Sequence, residues 1–196
     1  MIAAALLAGA IAYNFDDYFP RGTEQKRKNM VQYAIFQSAN PAFDFTFEYP
    51  KVKWSPEETQ GRIEKYDTVR LKGPVDLEKK FMTLISVTVK LEETGKTAAD
   101  LLEEYIKMIS GGPKFRVLSK KRIEVGGERA SSGLFEHEAR LPMDSLDAAP
   151  VMVDEQTVFW VRNGRSYRIT FRVLAAQQKT NLPVFEHVLR TFKFKK

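Results

Sequence analysis

The chain has 196 residues, of which 43% are hydrophobic and 29% charged, and this composition excludes an intrinsically disordered protein. It contains no cysteine and only two histidines, which excludes a disulfide scaffold, a thiolate metal site, a cysteine nucleophile and a poly-histidine metal site. Lysine and arginine number 31 against 25 aspartates and glutamates, and the resulting charge of +6 suits an acidic partner, an anionic membrane surface or nucleic acid.

Residues 1–13 form an uncharged apolar stretch. A helix of this length spans about 20 Å, which is shorter than the hydrocarbon layer of about 30 Å. The stretch contains small-x-small sequences typical of signal cleavage sites but lacks a basic n-region. It is predicted to be part of a leader, a short uncleaved anchor or a helix that packs into a partner, with an ordinary core helix as a further alternative. Its predicted contact residues are Ile2, Leu6, Leu7 and Ile11.

Three segments follow from this pattern: an apolar anchor or leader at residues 1–19, a linker at 20–42 and a globular domain at 43–196. The linker carries a mostly basic cluster at residues 24–28. That cluster is either a solvated connection or an interfacial tether, since each basic residue near an anionic leaflet contributes about 1 kcal/mol.

The globular part begins with a strand of alternating polarity. Phe43, Phe45, Phe47 and Tyr49 share one face, and the strand is expected to end at Pro50. Trp54 is expected in a turn, and residues 62–71 show a weaker strand pattern. Residues 81–91 form a strong strand whose two faces both begin apolar, which predicts a central strand that is covered on both sides.

One helix is strongly predicted. Thr97 is a good N-cap, Asp100 completes a capping box, and an apolar stripe runs to Ile109 before Gly111-Gly112-Pro113 ends the helix. Two hairpins follow, with strands at 115–125 and 128–141 around Gly126-Gly127, and at 151–161 and 165–174 around Asn163-Gly164. A second helix is predicted at 183–192. The fold class is therefore α+β, with about six mostly antiparallel strands.

The histidines and acids do not form an evident reactive group. Glu136, His137 and Glu138 are consecutive on a strand, so they point alternately to opposite faces and do not converge on a metal. His187 is expected at the surface, and Asp144, Asp147 and Asp154 are expected on an exposed loop. We therefore expect no enzyme activity, no cofactor and no small-molecule substrate. We also expect no nucleic-acid binding, because the aromatic residues lie on apolar faces.

A set of basic residues near the C-terminus is the best candidate for docking. These residues form either a docking patch for an acidic surface or simply the solvent face of a hairpin and tail. They are Arg162, Arg165, Arg168, Arg172, Lys193, Lys195 and Lys196.

The order of these patterns resembles the PsbP-like family, the extrinsic subunits of photosystem II and their bacterial relatives. The resemblance begins with residues 43–50, FDFTFEYP, followed by Trp54. It continues through residues 85–89 and the following helix, then 117–127 and 136–138. It closes with Asn163-Gly164-Arg165 and residues 185–194, so it covers about residues 43–196.

The resemblance implies an α/β/α sandwich around a central antiparallel sheet and a non-enzymatic role. The implied partners are subunits of a membrane protein complex, photosynthetic or otherwise, met on the extracytoplasmic face (periplasm or thylakoid lumen), with membrane contact through the N-terminus. The alternative function is a soluble chaperone or adaptor of the same fold that binds a hydrophobic segment of a partner protein.

Overall fold

The computed structural model describes residues 31–60, 66–90, 95–140 and 149–195. The predicted leader, its four contact residues and the basic cluster at 24–28 lie outside the described residues. The strands are β1 (Tyr33–Phe36), β2 (Phe45–Pro50), β3 (Ser55–Gln60), β4 (Tyr66–Asp76), β5 (Phe81–Lys90), β6 (Arg116–Val125), β7 (Glu128–Arg140), β8 (Pro150–Arg162), β9 (Arg165–Leu174) and β10 (Lys193–Phe194). The helices are α1 (Ala98–Ile109) and α2 (Gln178–Thr191), the latter preceded by a 3₁₀ turn, Ala175–Gln177.

The described strands form two antiparallel sheets. The larger has seven strands in the order β3-β4-β5-β9-β8-β7-β6, and the smaller has three in the order β1-β2-β10. The α+β class and the antiparallel pairing are confirmed. The central sheet has one strand more than the expected six, because β3 joins its edge, where Ser55, Pro56 and Glu57 offer no apolar alternation.

The two termini of the domain supply the smaller sheet. β1 pairs with β2 from Tyr33↔Pro50 to Phe36↔Phe47, and β10 pairs with β2 through Lys193↔Thr46 and Phe194↔Phe45. A strand therefore lies inside residues 20–42, the range predicted to be a linker. β1 is four residues long and β10 two, which is too short for a periodic pattern to appear in the sequence.

The main core lies between one face of the seven-stranded sheet and a layer made of α2 and the smaller sheet. Alternate residues of β4, β5, β8 and β9 enter it, and the aromatic residues of β2 meet them from the other side. The fully buried aromatic residues of this core include Phe43, Phe45, Phe47, Trp160, Tyr167, Phe171 and Phe185.

A smaller core lies on the other face of the sheet, under α1. Leu101, Leu102 and Tyr105 of α1 pack on Phe135 of β7 and Phe159 of β8. The predicted capping box is present, because the Thr97 side chain accepts from the Asp100 amide and the Asp100 carboxylate accepts from the Thr97 amide.

Helix α2 begins five residues earlier than predicted, so Pro183 lies inside it and is exposed. Both predicted hairpins are present, and Asn163 and Gly164 have positive φ, as a type I′ turn requires.

Asp154 is not on a loop as expected. It lies in the middle of the sheet on β8, where burial and then Glu136 raise the pKa of its carboxyl.

Candidate functional site: an open basic sheet face

Helix α1 covers only part of its face of the sheet, because it packs on β7 and β8. On the same face, the side chains of β4, β5 and β9 form a strip, which we call the open face. Among the described residues, no helix packs across this strip. The open face consists of Arg70, Lys72, Leu84, Ser86, Thr88, Arg168 and Arg172, with the buried Thr68 and Thr170 between them.

The strand register arranges these side chains in rows across the sheet. Arg70, Ser86 and Thr170 form one row, because Arg70 pairs with Ser86 and Ser86 with Thr170. The neighbouring rows are Thr68, Thr88 and Arg168 on one side and Lys72, Leu84 and Arg172 on the other. Basic residues therefore surround a small neutral centre.

Hydroxyl groups make up the centre of the open face. The hydroxyl oxygens of Thr68 and Thr88 lie 3.1 Å apart, and those of Thr157 and Thr170 lie 3.2 Å apart. These hydroxyls bond to one another, so their polarity is satisfied within the sheet. Thr68, Thr157 and Thr170 are buried and Thr88 is half-buried, so the centre between the cations is neutral.

A buried carboxylate fixes the border with α1. Glu155 of β8 is only 1% exposed and accepts hydrogen bonds from the Tyr105 hydroxyl, from the Thr157 hydroxyl at 3.2 Å and from Nε of Arg172. Burial, and then the charge and hydrogen bond of Glu155, raise the pKa of Tyr105 to about 12. The Arg172 side chain is still 49% exposed, so this buried group holds a cation at the surface.

Three further cations flank the centre. The guanidinium of Arg168 lies 5.3 Å from the centre of the Tyr105 ring, a distance at which a cation is attracted to an aromatic face. Arg70 is exposed on β4, and Lys72 beside it is paired with Glu57 at 2.8 Å. Among the described residues, these four cations are paired only with Glu57 and the buried Glu155, and this part of the open face is electropositive.

The structure divides the predicted docking residues. Arg168 and Arg172 lie on the open face, whereas Arg162 and Arg165 lie at the tip of the β8–β9 hairpin. Arg162 pairs with Glu128 at 2.8 Å and lies 4.1 Å above the Phe194 ring. Arg165 lies 3.9 Å from Asp44, the carboxylate that also accepts from the Tyr167 hydroxyl.

The basic tail divides in the same way. Lys193 is exposed on β10, whereas Lys195 donates to the carbonyl oxygen of Ser38 at 2.9 Å. Lys196 lies outside the described residues. The predicted set is therefore not one patch, since Arg162, Arg165 and Lys195 are bonded along the seam that joins the hairpin and the tail to the smaller sheet.

Several residues of the open face were not identified in the sequence. Arg70 and Lys72 lie in or beside a segment with only a weak strand pattern. Ser86 and Thr88 alternate with valines of a predicted core strand. In the sequence, Tyr105, which borders the open face, is only a member of the apolar stripe of the predicted helix. The sequence does contain a signal for this face, because polar residues recur at alternate positions along much of β4, β5 and β9. β5 is central as predicted, but Met82 and Leu84 are only half-buried because α1 packs elsewhere.

The two histidines have different surroundings. His137 is half-buried on β7, and the described residues contain no group of three His, Asp or Glu side chains placed to hold a metal ion. His187 is not a free surface residue, since its ring stacks on Tyr33 at 3.8 Å and bonds to Glu48 and Arg190, each at 2.9 Å. Because a guanidinium can only donate, Nδ1 of His187 accepts and Nε2 donates to Glu48.

Among the described residues, no helix is long and apolar enough to cross a lipid bilayer.

No family model and no curated protein matches the chain. Solved structures do match. The cyanobacterial PsbP protein of Synechocystis is 13% identical over 84% of this chain and 94% of its own, with a TM-score of 0.57. LpqN of Mycobacterium tuberculosis is 15% identical over 94% of this chain and 98% of its own, with a TM-score of 0.50. PA94 of Pseudomonas aeruginosa is 12% identical over 82% of this chain and 95% of its own, also with a TM-score of 0.50. At these identities the likeness concerns the fold alone, and the chain has the fold of PsbP.

Proposed function

We propose that this protein is a non-enzymatic accessory or assembly subunit of the PsbP-like family, in which the open face docks on an acidic surface of a membrane protein complex. The electropositive open face carries this proposal. Its four cations surround a centre of hydroxyl groups that are already bonded to one another. Charged groups at the rim of an interface steer association and fix its register.

The buried groups beside the open face suit a scaffold. Glu155 accepts from three donors, and these bonds orient Tyr105 and Arg172. The polar network therefore fixes the shape of a contact surface, which is consistent with a protein that binds and does not catalyse.

The extracytoplasmic location is part of the proposal. Two proteins of the same fold support it, cyanobacterial PsbP and LpqN, the latter described as involved in cell envelope biogenesis. The apolar residues 1–13 would deliver the chain across the membrane or hold it there. An α/β/α sandwich, as the family resemblance implies, would present the open face beside α1.

Site-specific cross-linking in the cells that make the protein tests this function. A photo-reactive amino acid replaces Ser86 at the centre of the open face, and the same group at the exposed Lys51, in the bend after β2, is the control. Protease protection of intact cells and of spheroplasts reports the compartment. We expect adducts from position 86 with a membrane complex subunit, in the extracytoplasmic compartment, and none from position 51.

Charge reversal then tests the chemistry of the contact. We expect Arg70→Glu with Arg168→Glu to abolish the adducts, whereas Lys51→Glu retains them, and raised salt should weaken the contact. Arg172 is left intact because its removal would leave Glu155 buried without a cation. Adducts with cytosolic proteins only, or adducts insensitive to the reversal, would refute the proposal. Adducts with an apolar segment of a soluble protein would support the chaperone or adaptor alternative.

A further inference from the structure

A second surface, distinct from the open face, lies at the far edge of the seven-stranded sheet. β6 is the last strand of that sheet and pairs with β7 along one side only. No described strand lies along its other side. Most of its residues are exposed, including Val117 at 43% and Leu118 at 47%. An edge of this kind presents unpaired backbone N–H and C=O groups to an added strand.

A groove runs beside this edge, between the sheet and α2. Its volume is about 500 Å³, and Ser119, Lys121 and Ile123 of β6 line it from the edge. The apolar part of the lining is Ile123, Leu134, Leu182 and Leu189, and its charged part is Lys121, Arg190, Glu124 and Glu186. The groove extends along β6 over five residues, which is about 13 Å at the rise of a strand. It is therefore long enough to receive two alternate side chains of an added strand.

The charge of β6 identifies the kind of strand that fits. Arg116 is paired with Glu136 and Lys120 with Glu103, but no ion pair joins Lys121 or Arg122 to a described acidic residue. Lys121 lies at the groove, and Arg122 lies on the opposite face of the strand. Both faces of an added strand would therefore meet a cation, and acidic residues there would find partners.

The same charges disfavour a second copy of this chain. Two β6 strands paired edge to edge and antiparallel, in the register centred on Lys121, would bring Lys120, Lys121 and Arg122 of the two copies opposite one another. Like charges in directly opposed positions destabilise a strand pair.

We infer that β6 and the adjoining groove bind an extended acidic segment of a partner protein by strand addition. Backbone hydrogen bonds to the β6 edge supply the affinity, and the alternation of side chains supplies the specificity. Apolar residues of the segment face the groove beside Lys121, and the acidic residues that alternate with them face Arg122 on the opposite side of the strand. This site goes beyond the docking of the open face, and it is tested without the membrane complex, so the two proposals fail separately.

The probe is a labelled nine-residue peptide in which glutamate alternates with valine, titrated against the full chain by fluorescence anisotropy. The matched control has the same composition with its valines grouped. Its charge is therefore identical, but its valines and glutamates do not lie on opposite faces of an extended strand. Hydrogen exchange reports whether the amides of β6 become protected. We expect the alternating peptide to bind at least about tenfold more tightly than the grouped one and to protect residues 119–123.

The protein variants complete the test. We expect Lys121→Glu with Arg122→Glu to weaken binding about tenfold, and Lys51→Glu to leave it unchanged. Equal binding of the two peptides, unprotected β6 amides, or an unchanged affinity of the reversed variant would each overturn the inference. A cross-linker at Ser119 that joins two copies of the unliganded chain would assign the edge to self-association and also overturn it.

Discussion

At the scale of single residues, buried polar groups in this protein are satisfied by one another, and they determine which cations reach the surface. Glu155 illustrates this, since its carboxylate lies under α1 and accepts from Tyr105, Thr157 and Arg172. The net contribution of such a bond is modest, but a buried acceptor left without its donor costs about 1–3 kcal/mol. Residues of this network are therefore sensitive to changes that leave the core volume almost intact.

Tyr105→Phe tests that network. We expect the free energy of unfolding at pH 7 to fall by about 1–2 kcal/mol, because Glu155 loses a donor while the ring is kept. Urea titration measures this, and Tyr49→Phe on β2 serves as the matched change. A loss as large for Tyr49→Phe as for Tyr105→Phe would contradict the assigned role.

The same residue makes a prediction about alkaline pH. The pKa of Tyr105 is raised from 10 to about 12 in the folded protein, first by burial and then by Glu155. The folded chain then retains a proton that the unfolded chain loses, so stability is full below about pH 10 and falls as pH rises toward 12. Burial and Asp44 raise the pKa of Tyr167 in the same direction. Urea titrations across this range should show a shallower fall for Tyr105→Phe than for the parent chain.

At the scale of elements, the close approach of α1 to the sheet depends on a residue without a side chain. A Cβ atom at Gly133 of β7 would lie 2.4 Å from the Phe135 ring and 3.0 Å from Leu102 of α1. Both distances are shorter than a normal contact, so a side chain there would displace the ring and the helix. The position of α1, and with it the border of the open face, therefore follows from this glycine.

We expect Gly133→Ala to lower the free energy of unfolding by about 1–3 kcal/mol, the usual cost of overpacking a core. Gly111→Ala, just after α1, is the control, since a Cβ at that position meets no atom within 4 Å. Hydrogen exchange of the α1 amides should increase in the Gly133 variant only. An unchanged stability and an unchanged exchange of α1 would show that the helix tolerates the added methyl group.

At the scale of the whole molecule, Phe192 joins the two sheets. Its ring lies 4.8 Å from Phe45 of the smaller sheet and 5.1 Å from Trp160 of the larger one, and Phe194 packs on it at 5.5 Å. It follows α2 directly and precedes β10. One aromatic residue thus connects the C-terminal helix, the tail and both sheets.

Phe192→Ala should therefore destabilise the protein as a whole by about 3–5 kcal/mol, since it leaves a cavity where the layers meet. Phe192→Leu keeps part of the volume and should cost less. Leu77→Ala, at a side chain that is 85% exposed, is the control and should change the stability by less than about 0.5 kcal/mol. Near-ultraviolet circular dichroism during urea unfolding measures all three, and equal midpoints for Phe192→Ala and Leu77→Ala would contradict the assigned role.

Elements whose signals are local were predicted from the sequence. The capping box at Thr97 and Asp100 lies within four residues, and the Asn163-Gly164 turn requires only two residues of positive φ. β5 and β9 were found because alternation over ten residues is a strong pattern. β3 was missed since its six residues are polar and include a proline, and it exists because β4 offers it a partner.

The sequence by itself determined the α+β class, the hairpins, the capped helix and the excess of positive charge, because each depends on neighbouring residues or on composition. Only the tertiary structure decided which cations share a surface. Arg162 and Arg168 are close in the chain, yet one is bonded beside the tail and the other flanks the open face. Strand register brings Arg70 of β4 to the same face as Arg168, across β5. Helix α1 packs on β7 and β8, so no described helix covers that strip of the sheet. Such contacts join residues that are about a hundred positions apart, and no local pattern encodes them.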